Sequence, residues 1–174
     1  FLAMFSAISK FVNEKIFGKL VHTYDPIEVQ HGNVTCSDKF EMREKNGRRR
    51  LFHTRIWEDG HDVKRYCPDY DSDDVDALHN VFHKSLELIS EGKDFDFGII
   101  LREQDGSMQS ATRFYIEPSA GRRYLFARME SSVRVTLIDE VESSEDSDIT
   151  YYSTEEVEAI AGVLADANQR MSVS

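Results

Sequence analysis

Apolar residues recur at spacings of three and four along the first part of the chain. The set comprises Phe1, Met4, Phe5, Ile8, Phe11, Val12 and Ile16. This spacing gathers the apolar side chains on one side of a helix and predicts an amphipathic helix over residues 1–21. The wide apolar stripe indicates packing on the body of the protein or a homodimer formed through residues 1–21. A membrane surface is the alternative, although surface-bound helices usually carry more cations.

Alternation of apolar and polar residues replaces the helical spacing from Ile27 onward and predicts strands. Asn46-Gly47 is a strong signal for a two-residue hairpin turn, because both turn positions need a positive φ angle. Such a turn sets the register of the hairpin and places Met42 opposite Leu51 on its apolar face. The predicted strands of this segment are residues 27–36, 39–44, 49–57 and 61–66.

A second amphipathic helix follows a run of aspartates. Its apolar side carries Val75, Leu78, Phe82, Leu86 and Ile89, and Gly92 ends it. Four more strands are predicted at residues 95–102, 107–116, 122–129 and 133–141, followed by an acidic loop at residues 142–148. The last helix begins at Ser153 or Thr154, with Glu156 in the capping-box position, and continues to about Met171.

The predicted order of elements is therefore helix, about four strands, helix, four strands, helix. Antiparallel strands with helices segregated to one side define the α+β class, so we predict a single α+β domain over residues 1–174. The similar order in the two halves is compatible with a structural duplication. In this order the chain resembles the Whirly and PUR-repeat single-stranded nucleic-acid binders, in which four strands and a helix occur twice. The resemblance covers most of the chain and implies single-stranded nucleic acid as a partner.

Composition and charge limit the class of protein. The chain is 40% hydrophobic and 30% charged, which excludes a disordered tail, a coiled coil and a collagen-like repeat. The longest apolar stretches fall far short of the roughly 20 residues of a membrane helix, so we expect a cytoplasmic protein. Cys36 and Cys67 are too few for a disulfide framework. One bridge between them and two thiols in a reducing compartment both remain open.

The cations concentrate in the predicted strands, although the net charge of the chain is −11. Residues 39–65 hold nine Lys or Arg against five acids, and residues 102–134 hold six arginines against four acids. Alternation places several of these cations on the same side of a strand as aromatic residues. The candidate partner-binding residues are Arg43, Arg50, Phe52, Arg113, Tyr115, Arg122, Tyr124, Phe126 and Arg128.

Arginine interleaved with aromatic residues on a sheet is typical of two kinds of interface. Single-stranded nucleic acid places phosphates on the cations and bases on the rings. Protein interfaces are also enriched in arginine and aromatic residues. Because an acidic protein repels a polyanion, we favour a non-catalytic interaction protein, such as an inhibitor or adaptor. It would bind a protein partner through this sheet face or through its acidic blocks, and single-stranded DNA or RNA is the alternative ligand. The acidic blocks are the aspartate run from Asp69 to Asp76, and Glu142 to Asp148 with Glu155, Glu156 and Glu158.

Motifs for catalysis and metal binding are sparse in the sequence. His79 and His83 are four residues apart on the second predicted helix, a spacing that metal sites use. A metal-dependent enzyme around these histidines is a further alternative. The run from Asp69 to Asp76 departs from an EF-hand loop, because Asp74 stands where that loop needs glycine. With neither a phosphate-binding glycine loop nor a nucleophile motif in the sequence, we predict no catalytic residues and no cofactor.

Overall fold

The computed structural model describes the backbone of residues 2–137 and 140–172, and the side chains of residues 7–133 and 146–171. Over this range the chain forms three helices and ten strands, in the order helix, six strands, helix, four strands, helix. The strands form one six-stranded and one four-stranded sheet, and the pairing between strands is antiparallel. The predicted α+β class and order of elements are therefore confirmed.

The bounds of the elements are as follows. The helices are α1 (Leu2–Phe17), α2 (Ser72–Ser90) and α3 (Thr154–Ser172). The strands of the first sheet are β1 (Lys19–Thr23), β2 (Ile27–His31), β3 (Val34–Lys45), β4 (Arg48–Glu58), β5 (Val63–Tyr66) and β6 (Asp69–Tyr70). The strands of the second sheet are β7 (Phe95–Asp105), β8 (Met108–Ser119), β9 (Arg122–Leu137) and β10 (Glu140–Tyr152). The strand order is β1-β3-β4-β5 in the first sheet, with β2 on β3 and β6 on β4, and β10-β9-β8-β7 in the second.

The chain divides into two compact units. Residues 1–76 and 162–174 form the first unit, which contains the six-stranded sheet. Residues 77–161 form the second unit, which contains the four-stranded sheet. Helices α2 and α3 each contribute residues to both units. The single domain over residues 1–174 stays a prediction.

Helix α1 ends at Phe17, earlier than the predicted end at residue 21. The reason is Gly18, whose φ angle of 91° lies in the left-handed region. Residues 19–23 then form β1, which pairs with β3. A Cβ atom on Gly18 would lie 2.5 Å from the carbonyl oxygen of Glu44. Only glycine therefore fits this junction between the helix and the sheet.

The hairpin of β3 and β4 has the predicted register. Asn46 and Gly47 have φ angles of 54° and 75°, as a type I′ turn requires. Met42 lies opposite Leu51, and both side chains are fully buried. Together with the buried Phe40 they form part of the core of the first unit.

The stretch predicted as an acidic loop at residues 142–148 belongs instead to strand β10. Strand β9 continues without a break from Arg122 to Leu137, where the sequence predicted two strands, and β10 pairs along it. Residues 138 and 139 of the predicted strand 133–141 lie outside the described residues. The loop prediction was wrong because a hairpin ladder satisfies backbone N–H and C=O groups whatever the polarity of the side chains.

Helix α2 ends and helix α3 begins at the predicted signals. Gly92 has a φ angle of 69°, and the N–H of Lys93 donates to the carbonyl oxygen of Leu88 at 3.0 Å, which is a Schellman ending. At the start of α3 the Glu156 carboxylate accepts from the N–H of Ser153 at 3.0 Å. The N–H of Glu156 donates in return to the Ser153 hydroxyl at 3.4 Å, completing a capping box.

The core of the second unit forms around Phe82 of α2. Its ring meets Phe114 of β8 and Tyr152 of β10 edge-on, at centroid distances of 6.0 and 5.3 Å. Ile116 and Leu125 are buried on the same face of the sheet. Because successive strand residues point to opposite faces, the neighbours of these residues form the outer face of the sheet.

Candidate functional site

Four aromatic rings lie side by side on the outer face of the four-stranded sheet. The register pairs Tyr115 of β8 with Phe126 of β9, and Phe126 with Tyr151 of β10. Tyr124 lies on the same face as Phe126, two residues before it, and all four side chains are half-buried. We call Tyr115, Tyr124, Phe126 and Tyr151 the ring cluster.

The rings of the cluster pack on one another. Tyr115 and Phe126 are stacked, with centroids 5.3 Å apart and planes at 8°. Tyr124 meets Phe126 and Tyr151 edge-on, at 6.4 and 5.5 Å, and Tyr151 lies 6.2 Å from Phe126. The faces that Tyr115 and Phe126 turn to each other are therefore occupied, and an external aromatic group has no access to them.

Two arginines lie opposite each other in the next row of this face. The register pairs Arg113 of β8 with Arg128 of β9, and it places Ile99 of β7 and Ile149 of β10 on either side of them. Ile99 is 44% exposed and Ile149 is 46% exposed. The outer face thus combines aromatic rings, exposed aliphatic side chains and guanidinium groups within a few strand residues.

The two arginines differ in their partners. Arg113 donates to both carboxylate oxygens of Asp96, at 3.2 and 2.7 Å. This hydrogen bonding, together with that of the Gly98 N–H, lowers the pKa of Asp96. Arg128 is exposed, and the structure shows no ion pair between it and another described residue. Arg128 therefore offers a guanidinium group to an external ligand beside the ring cluster.

Arg122 lies at the start of β9, next to the turn at Ala120-Gly121, whose φ angles are 50° and 80°. Its side chain is exposed and has no ion pair with another described residue. The following residue, Arg123, donates instead to Asp94 at 3.0 Å. Only the first arginine of this pair is therefore available as a candidate binding residue.

The candidate residues in the first unit are held by their own chain. The register pairs Arg43 with Arg50 on the outer face of the hairpin, where Phe52 also lies. Arg43 donates to Glu41 at 3.3 Å, and Arg50 donates to Asp69 at 2.6 Å. An aromatic ring of α1 lies 5.9 Å from that of Phe52, edge-on. These contacts partly neutralise and cover this face, whereas the other six candidates lie on the four-stranded sheet.

A buried polar network in the first unit was missed in the sequence. Asp38, His53 and Arg55 are 0%, 4% and 3% exposed. The Asp38 carboxylate lies 2.6 Å from Nε2 of His53 and accepts from Nη1 of Arg55 at 2.6 Å. Nδ1 of His53 lies 3.1 Å from the Tyr70 hydroxyl, and the imidazole stacks on Phe40 at 4.2 Å. The strand alternation that directs Phe40 inward also directs these polar side chains inward, and it is the sequence signal for the network. The network forms part of the core of the first unit.

The histidine pair lies on α2, with ring centroids 5.8 Å apart. Among the described residues, no group of three His, Cys, Asp or Glu side chains with metal-ligand spacing includes His79 or His83. The pair thus supplies two nitrogen ligands without a third protein ligand from that part of the chain. Cys36 is buried and Cys67 is exposed, and no disulfide joins them.

The acidic residues around the helix starts contribute to the fold. Asp71 and Asp74 cap α2 reciprocally: each backbone N–H donates to the other carboxylate, at 3.1 and 2.8 Å. Burial raises the pKa of Asp74. Glu156 is fully buried in the cap of α3. These carboxylates therefore have partners within their own chain.

No helix within the described residues combines the length and the apolar character that a membrane crossing needs. No family model and no curated protein matches the chain. Among solved structures, the crystal structure of WHY1 from Arabidopsis thaliana is similar to it, with a TM-score of 0.49 and 10% sequence identity. That alignment covers 87% of this chain and 86% of the other.

Proposed function

We propose that the protein is a non-catalytic binding module that docks a protein partner, as an inhibitor or adaptor does, on the outer face of its four-stranded sheet. The observation that carries this proposal is the ring cluster beside Arg128. Tyrosine and arginine dominate many protein interfaces because rigid rings bury a large area at little entropic cost. A guanidinium group adds bidentate pairing with carboxylates. The exposed Ile99 and Ile149 extend the apolar part of this surface.

Two features favour a protein over single-stranded nucleic acid at this face. Stacking of Tyr115 on Phe126 occupies one face of each ring and so reduces the ring surface on which bases could stack. Residues 77–161 also hold eight Lys or Arg against seventeen Asp or Glu, a net charge of −9. A polyanion approaching the second unit is therefore repelled, whereas a protein with basic or mixed charge is not.

Photo-crosslinking tests the proposal in cells that produce the protein. The crosslinker p-benzoylphenylalanine replaces Arg128 in one variant and Lys84, an exposed residue of α2 in the same unit, in the control. We expect a discrete protein adduct from the Arg128 position and none from Lys84. Adducts removed by nuclease instead of protease would contradict a protein partner.

Affinity measurements with the recovered partner complete the test. Arg128→Glu should weaken binding by about 2 kcal/mol or more, roughly 30-fold, if Arg128 is a dominant contact. Lys84→Glu makes the same change from cation to carboxylate and should leave the affinity unchanged. Equal affinities of the wild type and Arg128→Glu for every recovered partner would refute docking on this face.

Two other predicted features remain proposals. Helix α1 exposes apolar side chains, with Ile8 at 57% and Phe11 at 65%, which a second copy would cover in a homodimer. Light scattering should show a dimer that Phe11→Glu converts to a monomer, and a monomeric wild type would contradict it. Docking through the acidic blocks, a cytoplasmic location and a metal site at His79 and His83 are further proposals. Elemental analysis of the purified protein tests the metal site, and absence of a stoichiometric metal would contradict it.

A further inference from the structure

Four cations form a square on the outer face of the β3–β4 hairpin, in the first unit. The register places Arg43 opposite Arg50 and Lys45 opposite Arg48, and alternation puts all four on one face. Like charges directly opposite each other on neighbouring strands destabilise a sheet. We call Arg43, Lys45, Arg48 and Arg50 the cation square.

The chain neutralises only part of the cation square. Glu41 pairs with Arg43, and Asp69 pairs with Arg50. Nζ of Lys45 donates at 3.1 Å to the backbone carbonyl oxygen of Ile16. This oxygen carries no full negative charge. Arg48 is exposed and has no ion pair with another described residue. Two of the four positive charges, at the turn end of the hairpin, therefore lack a carboxylate partner within the described part of the chain.

The cation square borders a groove of about 1530 Å³ between the end of α1 and the hairpin. The square itself, Phe17 and Phe52 line this groove, and the two rings meet edge-on. Phe17 is 46% exposed, so it offers an apolar surface next to the cations. The groove thus combines a site for negatively charged groups with a site for a flat apolar group.

The remaining acid of the groove is already engaged. Asp71 lines it, but its carboxylate caps α2 by accepting from the N–H of Asp74. The first unit as a whole holds thirteen Lys or Arg against fifteen Asp or Glu, a net charge of −2. An anion therefore meets much less repulsion at this unit than at the second, whose charge is −9.

We propose that the groove binds the phosphate groups of a nucleotide, with the cation square on the phosphates and Phe17 and Phe52 beside the base. Lys45 and Arg48 hold the phosphate oxygens by charge-assisted hydrogen bonds, and the bound anion relieves the repulsion across the hairpin. Either a free nucleoside diphosphate or a single nucleic-acid strand supplies this chemistry. The proposal does not depend on docking at the four-stranded sheet.

Calorimetric titration with ADP tests the proposal at about 50 mM salt, where screening is weak. The matched variants are Arg48→Glu and Arg122→Glu, because both arginines are exposed and each follows a two-residue hairpin turn. Arg48→Glu should weaken binding about tenfold or more, since a charge-assisted contact becomes a repulsion. Arg122→Glu should leave ADP binding unchanged, and Arg48→Lys should retain most of it. Adenosine, which lacks phosphate, should not bind.

Fluorescence anisotropy with a labelled oligonucleotide of about 16 residues distinguishes the two sources of phosphate. Binding of ADP identifies a free nucleotide as the ligand. If the oligonucleotide binds and ADP does not, the ligand is nucleic acid. The same loss in Arg48→Glu supports the proposal in either case. Absence of binding by both ligands, or equal weakening by Arg122→Glu, would overturn it. Arg128→Glu, which tests the other unit, should change neither titration, so the two proposals fail separately.

Discussion

Replacing Asp38 with alanine should strongly destabilise the first unit. Asp38 is fully buried and accepts from Nη1 of Arg55, whose side chain is only 3% exposed. Removal of the carboxylate breaks this buried ion pair, which typically costs about 3–5 kcal/mol. The change also removes the contact of 2.6 Å with Nε2 of His53.

Urea unfolding measures the size of this effect. With a denaturant slope of about 2 kcal/mol/M, a loss of about 4 kcal/mol lowers the midpoint by about 2 M. The double variant Asp38→Leu/Arg55→Met replaces the charged pair with apolar groups and should be more stable than Asp38→Ala. The reasoning fails if Asp38→Ala costs less than about 1 kcal/mol, or if the double variant is less stable than Asp38→Ala alone.

Three further changes test separate parts of the structure. Gly18→Ala should lower the free energy of unfolding, measured in urea, by about 2 kcal/mol or more. The reason is that its Cβ would lie 2.5 Å from the Glu44 carbonyl oxygen at a φ angle of 91°. An unchanged free energy of unfolding would contradict the requirement for glycine at this junction. The hydrogen bond from Tyr24 lowers the pKa of Asp166 in the folded protein. This carboxylate therefore stabilises the fold at pH values above its unfolded pKa of about 4. The stabilisation is lost as the pH falls through the lower pKa of the folded state. Between about pH 5 and pH 2, the melting temperature of Asp166→Asn should therefore fall less steeply than that of the wild type. Parallel plots of melting temperature against pH would refute a stabilising role of the ionised Asp166. Ser153→Ala removes one half of the α3 capping box and should cost about 1 kcal/mol by the same urea assay, whereas an unchanged midpoint would exclude a stabilising cap.

The sequence predicts local features of this fold better than contacts between distant residues. The hairpin register follows from Asn46-Gly47 alone, because a type I′ turn leaves one pairing of the strands. The start of α3 follows from the spacing of Ser153 and Glu156. The acidic stretch at residues 142–148 was predicted as a loop, because its pairing with β9 depends on the ladder and not on its own composition.

In the candidate site, too, the sequence predicts local features but not the contacts between distant residues. Alternation places Tyr124, Phe126 and Arg128 on one face, and the sheet register adds Tyr115 from the next strand. The sequence does not indicate that Arg113 is paired with Asp96, since the two residues meet only across β7 and β8. For the same reason, charge counts along the strands overstate the number of cations that remain available to a partner.

The edges of the four-stranded sheet restrict how a partner can approach it. Strands β10 and β7 are the outermost strands, and within the described residues each has one row of backbone groups without a neighbouring strand in this sheet. Bulges interrupt β7 between Asp96 and Gly98 and between Ile99 and Leu101, while β10 carries the exposed Asp146 and Asp148. Irregular backbone and acidic side chains both hinder the addition of a foreign strand. Growth of the sheet by edge-to-edge association is therefore disfavoured, which favours contact with a partner through side chains over contact through added strands.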